Sequence, residues 1–316
     1  MTDRLKLSPS IFSYYLYTVI FPKNLAIAQT WTTSPKIFTD YLITFFFIII
    51  VLIFTVWFYK KRRNNFSEFL FFLLWFLLGL ISYIQIIPLE MTVADRWFYF
   101  PFIGLIGIII ISIKKIKPNN SFFYISIILT VLIISKFSTR SFLRSLDWKN
   151  PIILYTHDSK ITQSYLLEHS LGYELMQKNK MGEAYTHLKT SVLIFQTPYN
   201  TNSLGVYYYK TNDIKNAITW FKKSISLGDY FLSYQNYARI LVFQSNSKDT
   251  IGFLQKASEK FPHNDVFFFL LAISYYKNND HDNALIAAQK AYNISPSRQN
   301  GYVVYQLLNY EQIQIK

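Results

Sequence analysis

Long uncharged apolar stretches dominate the N-terminal part of the chain, and short charged loops separate them. The charge-free stretches are residues 41–59, 69–89, 97–113 and 118–135. An apolar helix of about 20 residues spans the roughly 30 Å hydrocarbon core of a bilayer, and a helix satisfies its own backbone hydrogen bonds there. The pattern therefore predicts a transmembrane domain of about four spans over residues 38–137.

The third apolar stretch departs from a uniform pattern. Pro101 lies near its start, and Gly104 and Gly107 follow. Both residue types are tolerated in membrane helices, so a full span is the main prediction. The alternative is a tilted or re-entrant segment, which needs surrounding protein to satisfy its backbone.

Residues 1–37 precede the first span and form a segment of their own. Within it, residues 11–28 carry Tyr14, Tyr15, Tyr17 and Phe21 ahead of a proline at position 22. Amphipathic aromatic side chains favour the boundary between lipid and water. We predict an interfacial helix followed by a turn.

Beyond residue 138 the apolar pattern changes to a repeat of 33 to 34 residues. Small residues fix the register, as expected where the two helices of a hairpin cross closely, and prolines at 262 and 296 end the last two copies. The four columns are Gly172, Gly205, Ala238, Ala272; Ala184, Ala217, Thr250, Ala284; Leu188, Phe221, Leu254, Ala288; and Ser191, Ser224, Ala257, Ala291.

This pattern resembles the tetratricopeptide repeat in four consecutive copies. The copies are residues 165–197, 198–230, 231–264 and 265–298, and residues 299–313 are predicted to form a capping helix. The repeat domain is thus 165–313, and residues 138–164 form its connector. The predicted fold class is all-α, with polytopic transmembrane helices followed by an α-solenoid.

Repeat arrays of this kind present an extended concave surface that binds proteins or peptides. Tyr207, Tyr208, Tyr234 and Tyr237 are candidates to line that groove. Aromatic residues at helical spacing also form hydrophobic cores, and the array could instead serve as a spacer or a dimerisation surface. The predicted partners are protein or peptide ligands, together with membrane lipid.

The distribution of basic residues predicts the orientation of the spans, because Lys and Arg near membrane ends favour the cytoplasmic side. The first loop reads Lys-Lys-Arg-Arg at 60–63, and the third carries three lysines within 114–117. The middle loop has Arg96 as its one basic residue. We therefore expect the N-terminal segment, the middle loop and the repeats on the non-cytoplasmic side, which is periplasmic, extracellular or luminal.

Composition argues against several classes of function. The net charge of +14 divides into +8 before residue 138, from 13 basic and 5 acidic residues, and +6 after it. This spread, without a compact basic stripe, does not favour nucleic acid as a partner. The five histidines match no zinc spacing, so no metal site is predicted. Without cysteine, the chain uses no disulfide.

The middle loop carries the main candidates for chemistry. Asp95 and Arg96 stand directly before the aromatic run 97–100, which is typical of a membrane interface. A guanidinium group binds phosphate through paired hydrogen bonds, so Arg96 is a candidate phosphate contact. The alternative is that Asp95 and Arg96 pair with each other and fix the loop.

A family resemblance enters at this loop. Residues 93–101, Val-Ala-Asp-Arg-Trp-Phe-Tyr-Phe-Pro, resemble the A-E-R-Y-L-Y-L-P signature of the transmembrane and tetratricopeptide repeat-containing O-mannosyltransferase-like proteins, which are multi-spanning GT-C glycosyltransferases. Residues 144–154, with Arg144, Trp148, Asn150 and Leu154, are similar to that family's R-x-W-x-N-x-x-L connector. Residues 15–25 also resemble the Y-L and W-P-x-x-L segment that precedes its later spans.

The resemblance implies sugar transfer from a polyprenyl-phosphate donor to protein acceptors that the repeats recruit. Glu90 and Asp95 are weak candidates for the carboxylate that activates the acceptor, and Arg96 for the donor-phosphate contact. The family's acidic first loop has no counterpart here. We therefore expect a truncated relative, a fragment, or one half of an enzyme completed by a separate chain. The alternative function is a non-enzymatic, membrane-tethered scaffold.

Overall fold

The computed structural model describes residues 2–30, 37–86, 89, 91–114, 120–245 and 248–313. These residues form α-helices joined by short turns, with one isolated bridge between Gln29 and Val93. The all-helical prediction is thereby confirmed for the described part of the chain. The chain divides into two compact units, Met1–Phe195 and Gln196–Lys316.

The first unit contains the apolar helices, the connector and one helical hairpin. Its helices are α1 Thr2–Ile20, α2 Ile37–Lys61, α3 Phe66–Ile81, α4 Tyr99–Ile113, α5 Asn120–Asp147, α6 Pro151–Ile161, α7 Tyr165–Gln177 and α8 Met181–Ile194. Short 3₁₀ turns, Arg63–Asn65 and Asp95–Phe98, precede α3 and α4.

Four helical segments are long and apolar enough to cross a membrane. They are Phe38–Lys61, Arg63–Ile81, Asp95–Ile113 and Ser121–Asp147. They overlap the four predicted stretches. The second helix ends at Ile81, before the stretch 69–89 does, the fourth runs past the stretch 118–135 to Asp147, and the third is a continuous helix. Pro101 lies in the first turn of α4, where backbone N–H groups have no partner within the helix, so the missing donor of proline costs no hydrogen bond.

Helices α3 and α4 pack closely because glycines line their crossing. A Cβ atom on Gly104 would stand 2.6 Å from the backbone nitrogen of Phe76, closer than two such atoms can approach. One on Gly79 would stand 3.0 Å from the backbone of Pro101. Gly104, one of the two glycines in the third apolar stretch, is therefore a residue that lets the two backbones meet, whereas a Cβ atom on Gly107 would meet the Phe72 ring.

Helix α1 is more deeply packed than the predicted interfacial segment. Ile11 and Tyr15 are buried in a cluster with Phe76 and Phe98, and the Tyr15 ring stacks on the Phe98 ring at 5.0 Å. The helix continues to Ile20, and an irregular, largely extended segment follows. Tyr15, which the aromatic pattern assigned to the interface, is instead a core residue of the first unit.

The second unit consists of helical hairpins and a final helix. Its helices are α9 Pro198–Lys210, α10 Ile214–Leu227, α11 Phe231–Ile240, α12 Lys248–Lys260, α13 Asp265–Lys277, α14 His281–Ile294 and α15 Arg298–Leu308. A turn of π-helix, Leu241–Ser245, extends α11. The predicted capping helix corresponds to α15.

The four repeat columns occupy the hairpin interiors. Every position in the four columns is buried. In the second copy, a Cβ atom on Gly205 would lie 2.6 Å from the Phe221 ring. In the third copy the same two columns hold Ala238 and Leu254, both fully buried. A larger residue in one helix is thus matched by a smaller residue in the other.

This complementarity predicts the effect of Gly205→Ala in the full chain. The added methyl group overpacks against Phe221, which costs about 1–3 kcal/mol of unfolding free energy. The double variant Gly205→Ala/Phe221→Leu reproduces the pairing of the third copy and recovers most of that loss. Thermal unfolding of the detergent-solubilised protein measures both.

A matched control is Gly252→Ala within α12. A Cβ atom there meets no atom within 4 Å, so the change gains up to about 1 kcal/mol of helix propensity. Equal melting temperatures for Gly205→Ala and Gly252→Ala would contradict the packing argument.

Candidate functional site

The second unit contains a pocket of about 420 Å³. Its wall comes from α11 with its π turn and from α13, which are the first helices of two consecutive hairpins, and from the start of the final helix α15. The lining residues are Arg239, Phe243, Asp265, Val266, Phe269, Leu270, Ser297, Gln299 and Asn300. Apolar and polar side chains line this one concavity together, as is usual in ligand-binding sites.

The π turn after α11 positions the aromatic wall of this pocket. The Lys277 ammonium donates to the carbonyl oxygen of Val242 at 2.7 Å, and its Nζ lies 5.2 Å from the centroid of the Phe243 ring. A π turn widens the helix and disturbs its regular carbonyl ladder. Lys277 therefore satisfies a carbonyl group of that turn and holds Phe243 against the pocket.

The opposite wall is a fixed polar network at the start of α15. The buried Asn300 side-chain amide donates to Oδ2 of Asp265 at 3.0 Å and to the carbonyl of Ser295 at 2.9 Å. Ser297 caps α15 by accepting from the Asn300 backbone N–H at 3.1 Å. These bonds orient the Asp265 carboxylate before any ligand arrives.

Arg239 supplies the cationic group of the pocket. It is exposed, and in the described part of the chain no carboxylate pairs with it. Phe269 and Leu270 line the same pocket, so a ligand that enters would desolvate the guanidinium. A guanidinium in such surroundings favours a carboxylate as its partner.

The four tyrosines predicted to line the groove lie elsewhere. Tyr234 stacks on Phe253 of α12 with ring centroids 6.0 Å apart, and Tyr237 meets the same ring edge-on at 5.1 Å. Tyr207 and Tyr208 are half-buried in α9, where Tyr208 packs on the core cluster of its hairpin. Their role in ligand binding stays a prediction.

The first unit contains a second arrangement of polar residues, around the extended segment 22–30. Asp158 is completely buried, and its carboxylate accepts from the two terminal nitrogens of Arg144, both at 2.8 Å. It also accepts from the Ile27 backbone N–H at 2.7 Å. At the end of the segment, the hydroxyl groups of Thr30 and Ser164 are 2.8 Å apart. The segment is thus anchored to the connector.

The middle-loop candidates have separate partners. Asp95 accepts from the Tyr14 hydroxyl at 2.6 Å, and Tyr14 accepts from the Gln29 amide at 2.6 Å. Arg96 is exposed and donates one long bond, 3.4 Å, to the Ile27 carbonyl. Within the described residues Asp95 and Arg96 form no ion pair with each other, so the predicted pairing is wrong: Tyr14, 81 residues away in sequence, engages the carboxylate instead.

The structure describes only some of the remaining candidate residues from the sequence. Glu90 lies outside the described residues. Among the residues that are described, no three His, Asp or Glu side chains come together as a metal ion would require. The connector residues carry structural roles, since Asn150 caps α6 by accepting from the Ile152 N–H at 2.9 Å and Leu154 is buried.

Sequence reasoning missed the two residues that organise these sites, Asp158 and Arg239. Neither belongs to a recognisable motif: Asp158 shares α6 with Lys160, and Arg239 is the one charged residue of α11. The one available signal for Asp158 is its place within a short helix that is otherwise mostly apolar on one side. The partner of Asp158 lies 131 residues away at Ile27, and spacing along the chain does not reveal such a contact.

The anchor predicts the behaviour of Asp158→Ala in the full chain. Asp158→Ala removes two charge-assisted hydrogen bonds from Arg144, which keeps Asp147 as its acidic partner at 2.9 Å. The expected loss of unfolding free energy is about 1.5–3 kcal/mol. The Ile27 N–H also loses its acceptor, so amide hydrogen exchange over residues 22–30 accelerates. Exchange measured by mass spectrometry on the detergent-solubilised protein reports both effects.

The control for that experiment is Glu183→Ala, which removes an exposed ion pair with Lys180. Exposed pairs contribute at most about 1 kcal/mol, so exchange over residues 22–30 stays as in the parent protein. Unchanged exchange in Asp158→Ala would show that the segment is held by other contacts.

Comparison with known proteins identifies the repeats. Residues 202–227 match the tetratricopeptide repeat family, and no curated protein matches the chain. Similar solved structures include the tetratricopeptide protein YrrB, with an unusual peptide-binding site (14% identity, 49% of this chain and 81% of that chain, TM-score 0.42). MamA from Desulfovibrio magneticus RS-1 is 17% identical over 46% of this chain and 90% of that chain, with a TM-score of 0.40.

A repeat-containing protein from Cytophaga hutchinsonii is 14% identical over 53% of this chain and 71% of that chain, with a TM-score of 0.45. All three TM-scores are below 0.5. The identification of a tetratricopeptide repeat therefore rests on the family match and on the buried repeat columns. The matches give no support to the glycosyltransferase resemblance. Residues 202–227, which span most of the hairpin α9–α10, are a tetratricopeptide repeat.

Proposed function

We propose that this protein is a membrane-tethered interaction module whose repeats bind an extended peptide segment of a partner protein. The observation that carries the proposal is the pocket of about 420 Å³ in the second unit. It joins the first helices of two consecutive hairpins and the final helix, and repeat arrays use extended concave surfaces for binding. Its volume falls within the range of sites that bury a small ligand or a few side chains.

The chemistry of the lining favours a peptide with an apolar side chain next to an acidic one. Phe243, Val266 and Phe269 offer apolar surface for the first. Arg239 offers an exposed cation for the second, which a bound ligand would cover, and charge-assisted hydrogen bonds are worth about 1.5–3 kcal/mol. Asp265, already fixed by Asn300, offers an acceptor for a backbone N–H of the ligand.

The membrane part of the proposal rests on exposed apolar surface in the first unit. None of the residues in the apolar window of Ser121–Asp147 is buried within the protein, and Leu132 is 60% exposed. The helix Phe38–Lys61 shows the same pattern, with Ile50 62% exposed. A soluble protein rarely leaves so large a continuous apolar surface in water, whereas hydrocarbon would cover it.

We infer from the basic loop at 60–63 that α2 ends on the cytoplasmic side. The repeats would then lie on the other side of the membrane. Glycosyl transfer with a polyprenyl-phosphate donor, completed by a separate chain, stays a prediction. One carboxylate oxygen of Asp95 accepts from the Tyr14 hydroxyl, so a role as catalytic base would have to use the other oxygen or break that bond.

Peptide-library selection on the full chain in detergent tests the binding proposal. We expect enriched peptides to combine an aromatic or aliphatic residue with Asp or Glu. Arg239→Glu replaces attraction by repulsion. It weakens the binding of these peptides by at least about tenfold, as measured by fluorescence anisotropy. Phe269→Ala also weakens the binding of these peptides, because it removes apolar contact surface.

Lys223→Glu is the matched control, since it reverses an exposed charge on α10 outside the pocket lining. It leaves the affinity within about twofold. If Arg239→Glu and Lys223→Glu weaken binding equally, the peptides respond to net charge and the assigned pocket is wrong.

The membrane placement has its own test with a C-terminal epitope on the full chain. The protein is expected to stay in the pellet after alkaline carbonate extraction, because its apolar helices are held by hydrocarbon. Protease added from the non-cytoplasmic side of sealed membranes removes the epitope and spares a cytoplasmic marker. Release by carbonate contradicts insertion, and a protected epitope contradicts the orientation.

A further inference from the structure

A second cavity, in the first unit, lies at the end of the apolar part of α5. Its volume is about 540 Å³. It is bounded by the last turn of α1, by the chain that leaves α1 and by one face of α5. The lining residues are Tyr17, Phe21, Pro22, Lys23, Lys136, Phe137, Thr139, Arg140 and Leu143.

The charges of this cavity have one sign. Lys23, Lys136 and Arg140 are three cationic residues, and the lining contains no carboxylate. Both lysines are exposed, and within the described residues neither side chain has a hydrogen-bonding or ion-pair partner. Unpaired cations around one concavity attract an anion, and most strongly an anion that carries its charge on several oxygens.

Arg140 has a different task from the two lysines. Its Nε donates to the Pro22 carbonyl at 3.1 Å and its Nη2 to the Lys23 carbonyl at 2.5 Å. These bonds fix the backbone that carries Lys23 on one side of the cavity. Arg140 therefore positions the wall, and the ammonium groups of Lys23 and Lys136 remain available to a ligand.

The apolar surroundings indicate what kind of anion fits. Lys136 is the first charged residue after the apolar stretch 118–135, so it marks where α5 would leave hydrocarbon. Below it on the same helix, Leu132 and Ile133 are 60% and 53% exposed. Tyr17 and Phe21 line the cavity beside the cations, and aromatic side chains are enriched at this depth of a membrane.

We propose that this cavity binds the headgroup of an anionic phospholipid, with the phosphate between Lys23 and Lys136 and the acyl chains along α5. The proposal rests on the membrane part of the proposed function. A zwitterionic lipid fits less well, because no carboxylate of the lining balances a choline ammonium group. Free phosphate fits less well, because it leaves the apolar surface beside the cations uncovered.

Native mass spectrometry of the full chain in detergent tests the site with two lipids of equal acyl chains. Phosphatidylglycerol and phosphatidylcholine are added in equal amounts, and retained lipid is counted. The parent protein retains phosphatidylglycerol preferentially. Lys23→Gln/Lys136→Gln lowers that retention by about tenfold or more, since each lysine near a headgroup contributes a several-fold factor.

The matched control is Lys60→Gln/Lys61→Gln, which removes two exposed lysines at the end of α2. It changes retention by less than about twofold if the site is specific. An equal loss in both double variants, or no preference in the parent protein, overturns the proposal in favour of general electrostatic attraction. Displacement of the lipid by an equal concentration of inorganic phosphate overturns the choice of a phospholipid.

Flotation with phosphatidylcholine vesicles separates this inference from the proposed function. A chain that floats but shows no lipid preference contradicts the headgroup site alone. A chain that fails to float with any vesicle contradicts membrane insertion itself. Because neither lysine side chain has a partner among the described residues, replacing both side chains removes no contact that holds the fold, and unchanged circular dichroism of the variant confirms this.

Discussion

The close crossing of helices at small residues is the constraint on which both units depend. Gly104 lets the backbone of α3 approach closely at Phe76, and Gly205 does the same for the ring of Phe221. A protein interior is packed too tightly to accept even one extra methylene without strain. The small residues therefore set the distance between paired helices, and that distance determines where the first helices of neighbouring hairpins present their side chains.

The sequence predicts these crossings because they repeat. A column of Gly or Ala every 33 to 34 residues is a local signal that is reinforced by each further copy. The apolar stretches are likewise predictable, since length and lack of charge are properties of the segment alone. Both kinds of prediction concern helices and the helix faces that are buried. They agree with the described helices and with the buried columns.

The candidate sites could not be predicted to the same depth, because each depends on contacts between distant residues. Asp158 meets Ile27 across 131 positions, and Tyr14 meets Asp95 across 81. The pocket in the repeats depends on a π turn at Leu241–Ser245, for which no reliable residue pattern exists. Tyrosine spacing favoured a groove at Tyr234, whereas Phe253 engages that ring within its own repeat.

Ion pairing distinguishes the charged residues that stabilise this chain from those that are available to ligands. Arg144 is bound by both oxygens of a buried carboxylate, so a ligand that recruited it would have to break an ion pair and leave Asp158 uncompensated, at several kcal/mol. Arg239 and Lys136 form no ion pair in the described part of the chain, and each lies beside apolar surface; the Asp265 carboxylate that shares the Arg239 pocket is held by Asn300. An anionic ligand would not have to break an ion pair to reach these cations, which is why ligand binding is proposed at these two cavities.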